Sequence, residues 1–157
     1  MNHVCFLLII LWELVLLVMA WASITFDGAD NFLAATFNAP SAGTFFLALS
    51  QITWTGNDTF WSSTGGATED DWNVYQVSAT PQIGLFAGNA VAANGGLAVA
   101  TFGILAATFN GASSALQVNL GTPTTGDPGA ISGTGVKIAS SGDGASAFAN
   151  IAVKGIG

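Results

Sequence analysis

The chain of 157 residues has no arginine, two lysines (Lys137 and Lys154), one histidine (His3) and one cysteine (Cys5), set against nine carboxylates. Each shortage removes a class of chemistry. Without a basic surface, the counterion release that drives nucleic-acid binding is out of reach, and no nucleic-acid partner is expected. A net charge of −7 also repels anionic membrane surfaces. A single cysteine excludes an internal disulfide and cysteine-based zinc sites, and with His3 confined to the leading segment the remainder cannot assemble a Ser/His/Asp triad. Charged residues make up 7% of the chain and hydrophobic ones 51%, the opposite of a disordered composition. Strong helix formers of the Glu and Lys type are scarce, and no segment after Ser23 carries an amphipathic helical stripe.

The long apolar run covers residues 4–22, is interrupted only by Glu13, and ends Met19-Ala20-Trp21-Ala22, where Ala20 and Ala22 supply an A-x-A cleavage site. We read it as a secretory signal peptide, although Met1-Asn2-His3 lacks the usual basic residue. A hydrophobic anchor left in place is one alternative, and a stretch packed on its own protein or a neighbouring subunit is another. The expected organisation is residues 1–22 as signal peptide or anchor and 23–157 as one domain, long enough to bury a core. The expected location is outside the cell or on a virion surface, with membrane contact only through residues 1–22.

What the chain does have after Ser23 is period 2. Leu105, Ala107 and Phe109 run into a tight turn at Asn110-Gly111, and Leu116, Val118 and Leu120 run out of it, which is the pattern of a β-hairpin. Similar short runs at 24–26, 32–37, 44–52, 59–62, 73–78, 82–87, 97–102, 104–109, 115–120, 135–139 and 148–156 are punctuated by Gly, Asn, Asp and Pro. They predict an all-β fold, a two-sheet antiparallel β-sandwich of the jelly-roll kind. Residues 121–134, with Pro123 and Asp127-Pro128, are expected to form a surface connection.

Three segments set aromatics and Gly-containing turns beside alternating strands: ITFDGADNFLAA (24–35), ILAATFNGASSALQVNLG (104–121) and SSGDGASAFANIAVKGI (140–156). In this order and spacing the chain resembles the LamG-like, or concanavalin A-like, lectin/glucanase superfamily. The resemblance implies a two-sheet jelly roll that recognises glycans or proteins, often with calcium at one rim. Thr101-Phe102-Gly103 departs from the family, which often has a tryptophan there. The sequence also stops at Gly157, where members commonly run on, so a minimal domain or an edge completed by another chain is expected.

Trp54, Trp61, Trp72 and Tyr75 lie within 22 residues, interleaved with Asn57, Asp58, Asp71 and Asn73. Aromatic faces stack on the C–H faces of sugars while amides and carboxylates take the hydroxyls. Trp54, Trp61, Trp72, Tyr75, Asn57 and Asp71 are therefore the candidate glycan contacts, and packing of the same tryptophans in a core or interface is the competing reading. Asp27, Asp30 and Asp143 are candidate oxygen ligands for Ca²⁺, the one cofactor considered, with ordinary turn chemistry as the competing reading. Glu69 and Asp71 have the residue types of a glycosidase pair, but Gly65, Gly66 and Thr68 before them point to a solvated loop, and no catalytic activity is expected. The expected function is that of a non-catalytic binding module, directed to a carbohydrate or glycoprotein surface for attachment or adhesion. The alternative is a self-associating structural protein of a virus or phage (coat, decoration or fibre-associated), present as a homo-oligomer.

Overall fold

Alternating apolar residues separated by turn formers give twelve β-strands in the computed structural model, which describes residues 23–38, 42–64, 72–78, 81–93, 95–130 and 133–156. In chain order these are β1 (Ile24–Asp27), β2 (Leu33–Asn38), β3 (Gly43–Gln51), β4 (Thr59–Ser63), β5 (Asn73–Gln76) and β6 (Ile83–Phe86). They continue as β7 (Ala90–Ala92), β8 (Phe102–Phe109), β9 (Ser114–Val118), β10 (Thr124–Gly126), β11 (Thr134–Ile138) and β12 (Asn150–Ile156). The strands form two six-stranded sheets, ordered β1-β12-β3-β8-β9-β10 and β2-β11-β4-β5-β6-β7, with every pairing antiparallel. The fold is the two-sheet antiparallel β-sandwich that the periodicity predicts.

β3 and β8 show how the sequence writes the two faces. Phe45, Leu47 and Leu49 on β3 and Leu105, Ala107 and Phe109 on β8 turn inward, whereas Phe46 on β3 and Phe102 and Ile104 on β8 turn outward. From the second sheet, Trp61, Val74, Ile83, Leu85 and Ile138 meet them in one core. Two glutamines clamp the sheets at one end. Gln76 Nε2 donates to Gln51 Oε1 (2.8 Å), Gln51 Nε2 donates to the Leu97 carbonyl (2.9 Å), and Gln76 Oε1 accepts from Thr55 N–H (3.0 Å). Both side chains are fully buried with these amides partnered, the condition under which a polar group is tolerated inside.

The structure differs from the predicted elements at four places, one of them the short edge strand β7 (Ala90–Ala92), which lies in none of the predicted runs. Residues 97–101 are not a strand: Ala100 adopts φ +62°, and both Thr101 N–H and Thr101 Oγ1 donate to the Ala98 carbonyl, closing a turn that Leu97 anchors in the core. The connection after β9 contains an edge strand, β10, which pairs with β9 and is framed by Pro123 and Pro128, in keeping with proline's place beside edge strands. Leu120 is 83% exposed, because the chain leaves β9 into a turn with φ +58° before the alternation can bury it. The turn at Asn110-Gly111 forms as predicted, with Ser113 N–H donating to the Asn110 carbonyl and Gly111 at φ +53°.

Candidate functional site

On β5, period 2 turns Val74 and Gln76 into the core and leaves Asn73 and Tyr75 on the outer face of the second sheet. Phe86 on β6 stands opposite Asn73 on that same face. Residues 139–149 fold over this face as a strap. Ala139 N–H donates to the Phe60 carbonyl (2.9 Å), Thr59 N–H to the Ala147 carbonyl (2.9 Å) and Ser62 Oγ to the Ser140 carbonyl (2.9 Å). The cover explains why all five residues of β4 are buried although alternate ones point away from the core.

Further bonds hold the strap in shape. Lys137 Nζ donates to the Gly142 carbonyl (2.8 Å) and sits 5.2 Å from the centre of the Phe32 ring, which in turn stacks on Phe148. Ser141 Oγ lies 2.9 Å from Ser146 Oγ. Ala139 (φ +68°) and Ala147 (φ +50°), near its two ends, occupy the left-handed region at a cost of about 1–2 kcal/mol each. Those anchoring bonds offset the strain.

Between strap and sheet lies a cavity of about 330 Å³. Asn57, Asn73 and Tyr75 line one side with Phe86, and Ser141, Ser146 and Ala147 of the strap line the other. Tyr75 is held in place by Gly84, its cross-strand partner: a Cβ there would fall 2.9 Å from Tyr75 Cε1. Burial pushes the Tyr75 phenol above the ordinary tyrosine value, so its hydroxyl stays neutral. Asn73 is 8% exposed, and its Oδ1 is buried without a hydrogen-bond partner, an uncompensated acceptor with almost no surface open to the cavity. No carboxylate or cation is found among the described residues lining the cavity. Beside it in sequence, Asp58 has its carboxyl pushed above the usual value by burial, an effect a hydrogen bond with Thr55 partly offsets. The space is at the small end of ligand pockets and suits a single ring. Its walls offer neutral donors, neutral acceptors and aromatic surface, the complement of a hydroxyl-rich uncharged ligand.

Of the six candidate glycan contacts, the structure brings Asn57 and Tyr75 together at this cavity. Trp61 and Trp72 are a correction. They are 1% and 2% exposed and pack with Phe45 and Phe109 of the opposite sheet, Trp72 lying parallel to Phe109 at 4.8 Å and Trp61 4.1 Å from Phe45. No sugar can reach faces that already join the two sheets. Trp54 is half-buried in the connection before β4, with Nε1 unpartnered, and is not among the residues lining the cavity. Asp71 and Glu69 lie outside the described residues.

The structure does not bring the three calcium candidates, Asp27, Asp30 and Asp143, together as one group. Among the described residues no three acidic, histidine or cysteine side chains are gathered into one cluster. Asp27 Oδ1 accepts from Ala29 N–H (2.9 Å) and Asp143 Oδ1 from Ala145 N–H (2.8 Å), so both close their own turns, and Asp30 is exposed. Sequence reasoning missed Phe86, Ser141, Ser146 and Ala147. They come from other strands and from a segment that reads locally as a turn, and only the fold sets them against Tyr75. No protein-family model matches the chain, and no curated protein does either.

Proposed function

We propose that this protein is a non-catalytic attachment module that takes one neutral sugar unit of a carbohydrate or glycoprotein surface into the cavity at Asn57, Asn73 and Tyr75. The observation that carries the reading is the cavity lining itself, in which the uncharged polar side chains of Asn57, Asn73, Ser141 and Ser146 stand with the Tyr75 and Phe86 rings. Those polar groups take sugar hydroxyls while the ring's C–H face covers the aromatic surface. The LamG-like resemblance supports the same class of ligand. The polar lining is uncharged, which fits binding without a metal ion, and a secreted or virion-surface location would expose the cavity to glycans. The test is a glycan-array assay on the full chain, with calcium and then with chelator. Saturable binding to neutral glycans that survives chelator and is lost in Tyr75→Ala and Asn73→Leu is expected. A folded chain with no binding, or binding indifferent to both substitutions, sinks the reading.

A second reading, a self-associating structural protein of a virus or phage, is favoured by one specific observation. The outer face of the first sheet exposes Phe46, Phe102 and Ile104.

A further inference from the structure

We propose that the outer face of the first sheet packs against the same face of a second copy of this chain, making a two-fold dimer. Successive cross-strand rows on this face read Thr44–Thr108–Ala115, Phe46–Ala106–Gln117, Gly155–Ala48–Ile104 and Ala152–Ser50–Phe102. Phe46 is 50% exposed, Ile104 50% and Phe102 47%, so three large apolar side chains stand in water among alanines and threonines. The chain has nine carboxylates, yet β12, β3, β8 and β9 carry none, and Lys154, 4.3 Å from the Phe102 ring, is their one charged residue. Apart from Lys154, such a face carries no charge to repel an identical one or to steer it to a charged partner.

The area decides the occupant. With strands about 4.8 Å apart and about 3.4 Å per residue, these four strands present roughly 500 Å² per copy and about 1,000 Å² per pair, the lower limit for a specific interface. The flanking strands β1 and β10 extend the rim. Two antiparallel sheets pack face to face about 10 Å apart, a spacing that Phe and Ile side chains fill and that already holds the two sheets of each copy together. A two-fold axis uses one surface twice and closes after two copies. The sugar cavity is on the other sheet, so it stays open in the dimer.

The full chain should sediment as a concentration-dependent dimer whose affinity is insensitive to salt. Phe46→Lys and Ile104→Lys should each raise the dimer Kd at least about tenfold, the equivalent of about 1.4 kcal/mol. The milder Phe46→Thr and Ile104→Thr keep strand propensity and guard against misfolding, and they should weaken the dimer in the same direction. Leu33→Lys, exposed on the second sheet, should leave it unchanged. A chain monomeric at every concentration overturns the proposal. So does association that none of the face variants alters, which would assign it to residues 1–22 or a sheet edge. Face variants that lower the melting temperature of a monomer overturn it as well, because the chain then covers this face itself.

Discussion

Tyr75 and Gly84 form a unit, since the ring occupies the space that a side chain on the neighbouring strand would fill. Gly84→Ala should therefore displace the ring and weaken sugar binding about tenfold, the loss of one aromatic contact of about 1.4 kcal/mol, while the thermal melt shifts little. Titration calorimetry beside a melting curve separates the two effects. Trp72 gives the opposite result. Trp72→Ala opens a cavity against Phe45 and Phe109 and should cost about 3–5 kcal/mol in denaturant unfolding. Asp58 adds a dependence on pH. Its folded carboxyl titrates above the unfolded one, so the native state holds its proton to higher pH, and stability falls as pH rises from the ordinary carboxylate value through the raised one. Asp58→Asn should equal or exceed the parent in stability at neutral pH and lose that margin in acid, as paired melts across pH 3–7 would reveal.

At the scale of elements, the sandwich depends on connections between the sheets as well as on ladders within them. The Gln51–Gln76 pair ties the end of β3 to the end of β5 and to the connection before β4. Gln76→Leu would strand Gln51 Oε1 and Thr55 N–H, each costing about 1–3 kcal/mol, so a loss of about 2–6 kcal/mol is expected in denaturant unfolding. The double variant Gln51→Leu/Gln76→Leu should recover part of that loss, because removing both polar partners leaves fewer orphans. The strap of residues 139–149 joins elements in another way. It carries no ladder of its own, yet its bonds to β4 create the cavity wall and bury Ser62.

On the scale of the whole molecule, the two outer faces have opposite characters. One is crossed by a hydrogen-bonded strap and offers a polar cavity, while the other is flat, apolar and nearly uncharged. A dimer through the flat face would point two sugar cavities in opposite directions, toward two particles or two surfaces. Under that arrangement the parent should crosslink glycan-coated beads, whereas Ile104→Thr should bind single glycans with unchanged affinity and lose the crosslinking. Bead agglutination beside calorimetry with free sugar tests both halves.

The sequence by itself determined the class of fold. Period-2 runs such as Leu105, Ala107 and Phe109, the turn at Asn110-Gly111 and the want of helix formers leave an antiparallel sandwich as the compact way to bury these residues. It also excluded much chemistry, because absent residue types cannot be supplied by folding. It did not determine which aromatics meet solvent. Trp61, Trp72 and Tyr75 share composition and neighbourhood, and strand parity separates them: Trp61 lies opposite Val74, which faces the core, while Tyr75, one residue on, faces the strap. Nor did the sequence reveal the cavity, whose walls come from β4, β5 and β6 and from a segment about sixty residues later in the chain. Alternation is a local property and survives in the sequence. A site built across sheet and strap depends on which distant segments fold together, and only the tertiary structure decided that.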